Sequence, residues 1–276
     1  MLRKTLLSGL ALALFLALPG AAQLPGDDSM LPGTDPMLPD AEPLPLLSLD
    51  EVLRNYYEAI GGEDAWMDVQ SFKMTGTMLM GPGMLAPFTV YSARPDRLRL
   101  EFTFNGMTGI QAIDGDEAWM LMPFMGKTVP EAMPEDMTKQ LKDQLDIEGP
   151  LVSFGDKGHT LEYLGPAQAQ GTDAYKIKAT LASGTEQVFY LDGEAFVPFL
   201  VEGKSTIQGN EVETETIFSD YKDVEGLMLA HSIEGRIKGQ PGGQVITIEE
   251  VEVDGDLSEV EFGMPEIEAA EAAPAQ

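Results

Sequence analysis

Apolar and polar positions alternate along most of the chain from Phe72 onwards. In the clearest stretch, which begins at Arg97, polar residues alternate with Leu98, Leu100, Phe102 and Phe104. Alternation with a period of two places one set of side chains on each face of a β-strand. About eleven or twelve such segments, separated by turn signals such as Asp114-Gly115, predict a large antiparallel sheet with one apolar face. A sheet of this size must curl, split or close.

Before the first strand, apolar residues recur at the spacing of an amphipathic helix. Ser48 and Glu51 have the spacing of a capping box, and Gly61-Gly62 supplies a stop signal. Between them lies a single apolar face made of Leu49, Val52, Leu53, Tyr56 and Ile60. We therefore predict a first helix over this segment and a short second helix through Trp66.

A helical pattern also interrupts the run of strands. The segment Met122–Gly149 carries three prolines, followed by Glu135–Asp146 with a narrow apolar stripe of Met137, Leu141 and Leu145. This pattern predicts a helix inserted between two strands. It could be a fixed plug that closes one end of a barrel or a mobile lid over an apolar cavity, and both interpretations stay open.

The methionines are concentrated in one part of the chain, because eleven of the sixteen lie between Met67 and Met137. Methionine is unbranched and polarizable, so it suits surfaces that adapt to irregular apolar shapes. The alternatives are ordinary core packing and a deformable pocket. On the second interpretation, a cavity beneath the helix of Met137, Leu141 and Leu145 is lined by Met74, Met78, Met80, Phe102, Phe104 and Trp119.

Four regions follow from composition. Residues 1–22 have the basic start, apolar run and small residues of a secretory signal peptide, with cleavage expected after Ala22. Residues 23–47 form a linker rich in proline, leucine and methionine, and residues 48–265 form one domain. Residues 266–276 form an acidic tail for which we expect disorder. The apolar run of the signal is shorter than the about 20 residues that span a bilayer, and the chain has no cysteine that could carry a lipid anchor. We therefore expect an exported protein, in the cell envelope or outside the cell, without a transmembrane segment.

Charge and composition exclude several classes of function. The net charge of −29 disfavours nucleic acids and anionic membranes as partners. The chain has no cysteine and only two histidines, His159 and His231, so no disulfide, metal site or cofactor is expected. His231 lies on the apolar phase of its strand, where a core histidine is favoured over a ligand or a base. No catalytic motif is present, and an unrecognised hydrolase is unsupported.

Six motifs in order point to a known family. They are Gly61–Trp66, Arg94–Arg99, Asp114–Trp119, Gly171–Tyr175, Tyr190–Asp192 and Ser219–Gly226. Together they resemble the periplasmic lipoprotein-sorting superfamily, which includes the outer-membrane lipoprotein carrier, over about Leu49–Pro265. The resemblance implies an incomplete β-barrel around a hydrophobic cavity, with helices as a lid. It also implies that Arg94, in an Arg-Pro pair before a strand, holds the lid shut.

The resemblance implies a soluble periplasmic carrier or chaperone that binds a lipid, a lipoprotein or its acyl chain, without catalysis. Membrane proteins of the envelope are further candidate partners. Ala230 stands where relatives often have proline, and the methionine-rich lid is not a hallmark of the carrier. Any acylated ligand would therefore fit. The alternative is a non-catalytic interaction or lipid-sensing module of the same fold.

Overall fold

The computed structural model describes residues 44–79, 83–207, 210–240 and 243–265. This part of the chain contains thirteen β-strands, a 3-10 turn at Pro123–Met125 and three α-helices: α1 (Leu49–Ala59), α2 (Glu63–Asp68) and α3 (Glu135–Lys142). The predicted signal peptide, the tail from residue 266 and most of the linker lie outside the described residues. The end of the linker is described, and there Leu44 and Leu47 pack against the core.

The predicted cap of α1 is confirmed. The Ser48 hydroxyl accepts a hydrogen bond from the Glu51 amide at 3.3 Å, and the Glu51 carboxylate accepts one from the Ser48 amide at 2.8 Å. These two bonds satisfy donors that the first turn of a helix leaves free. The predicted apolar face is also confirmed, since Val52, Leu53 and Tyr56 are buried.

The thirteen strands form one antiparallel sheet. They are β1 (Ser71–Leu79), β2 (Leu85–Ala93), β3 (Arg97–Phe104), β4 (Met107–Asp114), β5 (Glu117–Met122), β6 (Lys127–Ala132), β7 (Thr160–Ala169), β8 (Thr172–Thr180), β9 (Glu186–Asp192), β10 (Pro198–Ile207), β11 (Asn210–Val224), β12 (Leu227–Ile237) and β13 (Gln244–Val253). Their spatial order is β6-β5-β4-β3-β2-β1-β13-β12-β11-β10-β9-β8-β7. The sheet is not closed into a barrel, which confirms the expected incomplete barrel.

The sequence pattern does not predict strand β6. It contains Pro130, which has no backbone N–H and is normally excluded from the interior of a sheet. Here it is tolerated because β6 is an edge strand whose pairing with β5 shifts register between Met120 and Met122. The predicted helix that follows is shorter than expected, because α3 ends at Lys142 rather than at Asp146.

One face of the sheet is apolar and is called the inner face below. Across strands β1 to β3, Met74 is paired with Val90, and Val90 with Leu100. Paired residues share a face, so this row and its neighbours form a continuous apolar surface. Residues of this face and of α1, α2 and α3 belong to a single hydrophobic core.

The chain crosses from one edge of the sheet to the other through residues 133–159, which we name the cap segment. It begins after β6, at one edge, and ends at β7, at the opposite edge. The cap segment contains α3 and contributes Leu141, Ile147, Leu151 and Val152 to the core. A single connection therefore bridges the open side of the half-barrel and packs against its inner face.

Candidate ligand-binding site

The structure brings the strand residues predicted for the site together on the inner face. Met74, Met78 and Phe102 each have only 1% of their surface exposed. Met78 is paired with Ala86 and Ile246, and Phe102 is paired with Phe88. Each of them contacts an apolar surface on which flexible methionines alternate with rigid branched and aromatic side chains. Met80 lies outside the described residues.

An aromatic group extends this surface towards one end of the strands. The Phe124 ring lies 5.5 Å from the Phe102 ring and 6.2 Å from the Phe104 ring, in tilted and edge-on geometries that aromatic pairs favour. Phe104 is half-buried. Glycine is required at Gly109, because a Cβ there would lie 2.7 Å from Phe102 and 2.8 Å from Phe124.

The apolar stripe of α3 packs against the same core. Leu141 is buried, and Met137 and Leu145 are half-buried. The stripe and the inner face are therefore two sides of one apolar layer. This layer consists of side chains from the sheet and from the cap segment, so moving the cap segment away from the sheet would expose apolar side chains on both.

Trp119 is on the opposite face, and its predicted place among the inner-face residues is wrong. Trp119 is paired with Ala112 in β4, and Ala112 with Arg99 in β3, whereas Met120 shares the inner face with Leu100. The Arg99 guanidinium lies 5.6 Å from the Trp119 ring centroid. Sequence could not assign this phase because residues 119–122 are apolar throughout.

A strap formed by residues 255–265 buries Trp119 on that outer face. The Trp119 Nε1 donates a hydrogen bond to the Phe262 carbonyl at 2.8 Å. Arg99 donates to the Glu261 carbonyl at 2.7 Å, and the Arg97 guanidinium lies 5.1 Å from the Phe262 ring centroid. The segment after β13 thus crosses the outer side of β3 to β5.

Arg94 joins the end of β2 to both helical regions. Its Nη2 donates to Glu148 Oε2 at 2.6 Å and to the Trp66 carbonyl at 3.0 Å, and its Nε donates to the Val69 carbonyl at 2.7 Å. The Arg94–Pro95 peptide bond is cis. The side chain therefore contacts the cap segment, as the resemblance implies, and the end of α2.

Glu148 is the centre of a buried ionic network that sequence analysis missed. Its side chain is 3% exposed, and its second oxygen lies 3.0 Å from Lys157 Nζ. Lys157 also contacts Asp146 at 2.5 Å. Among 46 acidic residues nothing marks Glu148 except its position between Ile147 and Leu151, both of which are buried.

The network shifts the pKa values of its side chains. Burial opposes the charge of Glu148, but Lys157 and Arg94 together outweigh it and hold the pKa of Glu148 below its ordinary value. Burial raises the pKa of Asp146 in spite of Lys157. Burial also lowers the pKa of His159, whose Nε2 lies 3.9 Å from Asp146. The network thus holds an ionised Glu148 against Arg94.

Other polar contacts attach the cap segment to the rest of the domain. The Tyr57 hydroxyl donates to the Leu151 carbonyl at 2.8 Å, and the Ser153 hydroxyl donates to Glu63 at 2.8 Å. At the far end of α3, Lys142 contacts the exposed Asp116 at 2.5 Å. The hydrogen bonds of Tyr57 and Ser153 each contribute about 1 kcal/mol, whereas the solvent-exposed pair of Lys142 and Asp116 contributes little.

Four buried polar atoms have no hydrogen-bond partner within the described residues: Trp66 Nε1, Gln144 Oε1, Asp146 Oδ2 and Tyr163 Oη. Trp66 is fully buried, and its ring lies 5.6 Å from that of Phe72 at the inner face. Tyr163 is paired with the buried Ile177 in β8. Buried polar atoms normally find a partner, so these four are exceptions within the fold.

The described residues offer little for metal chemistry. They contain no group of three or more histidine or acidic side chains arranged to hold a metal ion. His231 is buried and its Nδ1 lies 2.9 Å from the Leu229 carbonyl, which confirms the core interpretation. No helix in the described ranges is long and apolar enough to cross a membrane.

The fold of this chain is similar to that of solved proteins of the DUF1329 family and the LolA superfamily, which share little sequence with it. A DUF1329 family protein from Desulfovibrio piger has this fold, with a TM-score of 0.54 at 14% identity; the match covers 78% of this chain and 97% of that one. A LolA superfamily protein from Nitrosomonas europaea matches with a TM-score of 0.52 at 14% identity, covering 79% and 98%. No protein-family model and no curated protein sequence matches the chain.

Proposed function

We propose that the protein is a periplasmic carrier that binds the acyl chain of a lipid or lipoprotein between the inner face and the cap segment. The observation that carries this proposal is the shared apolar layer between them. Adaptable methionines lie on the sheet side, and a connection that crosses the open side of the half-barrel covers them. No chemical step is needed for such a function.

Binding requires the cap segment to move. Met74, Met78 and Phe102 are buried in the structure, so an acyl chain reaches them only when α3 is displaced. Transfer of each methylene from water to an apolar site contributes about 0.8 kcal/mol, so a long chain outweighs several of the polar contacts that hold the cap segment. The network at Glu148 then sets how easily the segment opens.

The polar head group of the ligand would also find a hydrogen-bond donor. Trp66 Nε1 is a buried donor without an acceptor in the described part of the chain, and it lies beside the inner face. An ester or carboxylate oxygen of an acylated ligand would supply that acceptor. Release of the ligand would leave this donor without an acceptor again. The cost of the unpaired donor lowers the stability of the closed, ligand-free state.

The two tryptophans make the location of an acyl chain testable. The chain has two of them, Trp66 at the inner side and Trp119 on the outer face. A brominated fatty acid should quench fluorescence in the Trp119→Phe variant, where Trp66 remains. It should leave the Trp66→Phe variant, where Trp119 remains, almost unquenched at concentrations at which displacement of a fluorescent fatty acid shows that this variant is occupied. Equal quenching of both variants, or quenching of Trp119 alone, contradicts the inner-face site.

A second candidate is a lipid-sensing or interaction module of the same fold. It is favoured by the burial of the same residues, because a fully packed core needs no cargo. Native mass spectrometry of protein purified from its own host separates the two functions. Copurified lipid supports the carrier, whereas an empty protein that binds no fatty acid supports the module.

A further inference from the structure

Five exposed apolar side chains lie at one end of the sheet. Strand β1 ends where β2 begins, β3 ends where β4 begins, and β5 ends at this same level because neighbouring strands alternate in direction. The side chains come from these strand ends and from the turn after β5, and we name them the hairpin rim: Leu79, Met84, Leu85, Met107 and Met125. They are half of the most exposed large apolar residues in the described part of the chain.

The rim is uncharged in a strongly acidic protein. The stretches 74–93, 102–113 and 118–126, which contain the rim, have no charged residue, although the chain has 46 acidic and 17 basic ones. Acidic side chains usually keep exposed loops soluble, and exposed apolar residues that lie together mark an interaction surface. The partner must therefore be apolar and must not require charge pairing.

The rim is continuous with the inner face. Phe104, at the end of β3, is paired with Met107 of the rim. Its ring contacts that of Phe124, which in turn contacts Phe102 of the inner face. A line of aromatic rings thus connects the exposed tips with the apolar layer under the cap segment.

We propose that the hairpin rim inserts into the interface of an uncharged or zwitterionic lipid bilayer. Side chains at separate hairpin tips suit a fluid partner, since lipid adapts to projections that have no common groove. The apolar tips gain by entering the acyl boundary. The strong negative charge of the remaining surface repels anionic headgroups, so the lipid class is limited. This proposal goes beyond the carrier function, because it requires no bound ligand.

Flotation with phosphatidylcholine vesicles tests the proposal, using the exported protein purified from the cell envelope without added ligand. The rim variant combines Leu85→Glu and Met107→Glu, at side chains that are 61% and 39% exposed. The control combines Met67→Glu and Leu164→Glu, which are 41% and 43% exposed and lie outside the rim. Both variants add two negative charges, so they differ only in where these are placed.

We expect the wild type and the control to float equally, and the rim variant to partition at least about tenfold less. Circular dichroism and the thermal midpoint verify that both variants fold. Absence of wild-type flotation overturns the proposal. So does flotation that survives in the rim variant or is lost equally in the control. Concentration-dependent dimers that only the rim variant abolishes, without vesicle binding, would assign the rim to a second copy of the chain instead.

Discussion

Arg94 Nη2 lies 2.6 Å from Glu148 Oε2, and this contact joins the end of β2 to the cap segment across 54 residues of sequence. The Glu148 carboxylate is almost completely buried, while Arg94 is about a quarter exposed. A buried charge whose partner is removed costs more than the pair contributes. The pair is therefore suited to hold the cap segment shut.

Arg94→Leu should lower the free energy of unfolding by about 2 kcal/mol and accelerate release of a fluorescent fatty acid. Lys157 remains 3.0 Å from Glu148, so the loss should stay below that of a fully unpaired buried charge. The double variant Arg94→Leu/Glu148→Leu should recover part of the stability and still release the ligand quickly. Urea unfolding and stopped-flow fluorescence measure both quantities. Wild-type release from a folded Arg94→Leu variant would show that the cap segment is a fixed plug.

The free energy of unfolding should fall at acidic pH because Glu148 becomes protonated. Its pKa in the folded protein lies below the ordinary value of 4.5, so its ionised form stabilises the native state above about that pH. This contribution is lost as the pH falls through the folded pKa. Glu148→Gln should therefore flatten the acid limb of the unfolding free energy measured against pH. Exposed Glu58→Gln is the control, and equal flattening in both variants contradicts the assignment.

Ser48→Ala should destabilise the domain by about 1 kcal/mol, because the hydroxyl that caps α1 is removed. Glu51→Gln should cost less, since an amide oxygen can still accept the bond from the Ser48 amide. Urea unfolding of the two variants gives the comparison. If Ser48→Ala were neutral, the core contacts of Val52 and Tyr56 alone would hold the helix.

Phe262→Ala should free the strap from the outer face. Phe262 is buried beside Trp119 and Arg97, so we expect a loss of about 3 kcal/mol and a red shift of Trp119 emission in a Trp66→Phe background. The matched control is Glu261→Ala, because the contact that Glu261 makes to Arg99 uses only its backbone carbonyl. An unchanged emission in Phe262→Ala would show that the strap does not shield Trp119.

Export can be checked directly. Residues 1–22 should be removed after Ala22, which leaves Gln23 as the amino terminus of the protein in the envelope fraction. Amino-terminal sequencing of that fraction tests the prediction. Recovery of intact Met1 in a membrane pellet would mean that the apolar run is retained as an anchor.

Local patterns determined much of the fold. The phase of Leu98–Phe104 and the capping box at Ser48 follow from side chains a few residues apart, so both were predictable. The antiparallel sheet with one apolar face follows from the same alternation. Arg94 was singled out by resemblance, whereas its three hydrogen bonds needed the folded arrangement of α2 and the cap segment.

Local sequence patterns predict most of the strands and helices, because a period of two or of 3.6 residues depends only on nearby positions. The face on which Trp119 lies depends on tertiary contacts, since in a wholly apolar stretch pairing with β4 sets the phase. The same holds for β6, where an edge position tolerates Pro130, and for Glu148, which is buried because distant residues enclose it. Burial and register depend on contacts between remote segments, and a linear pattern does not contain them.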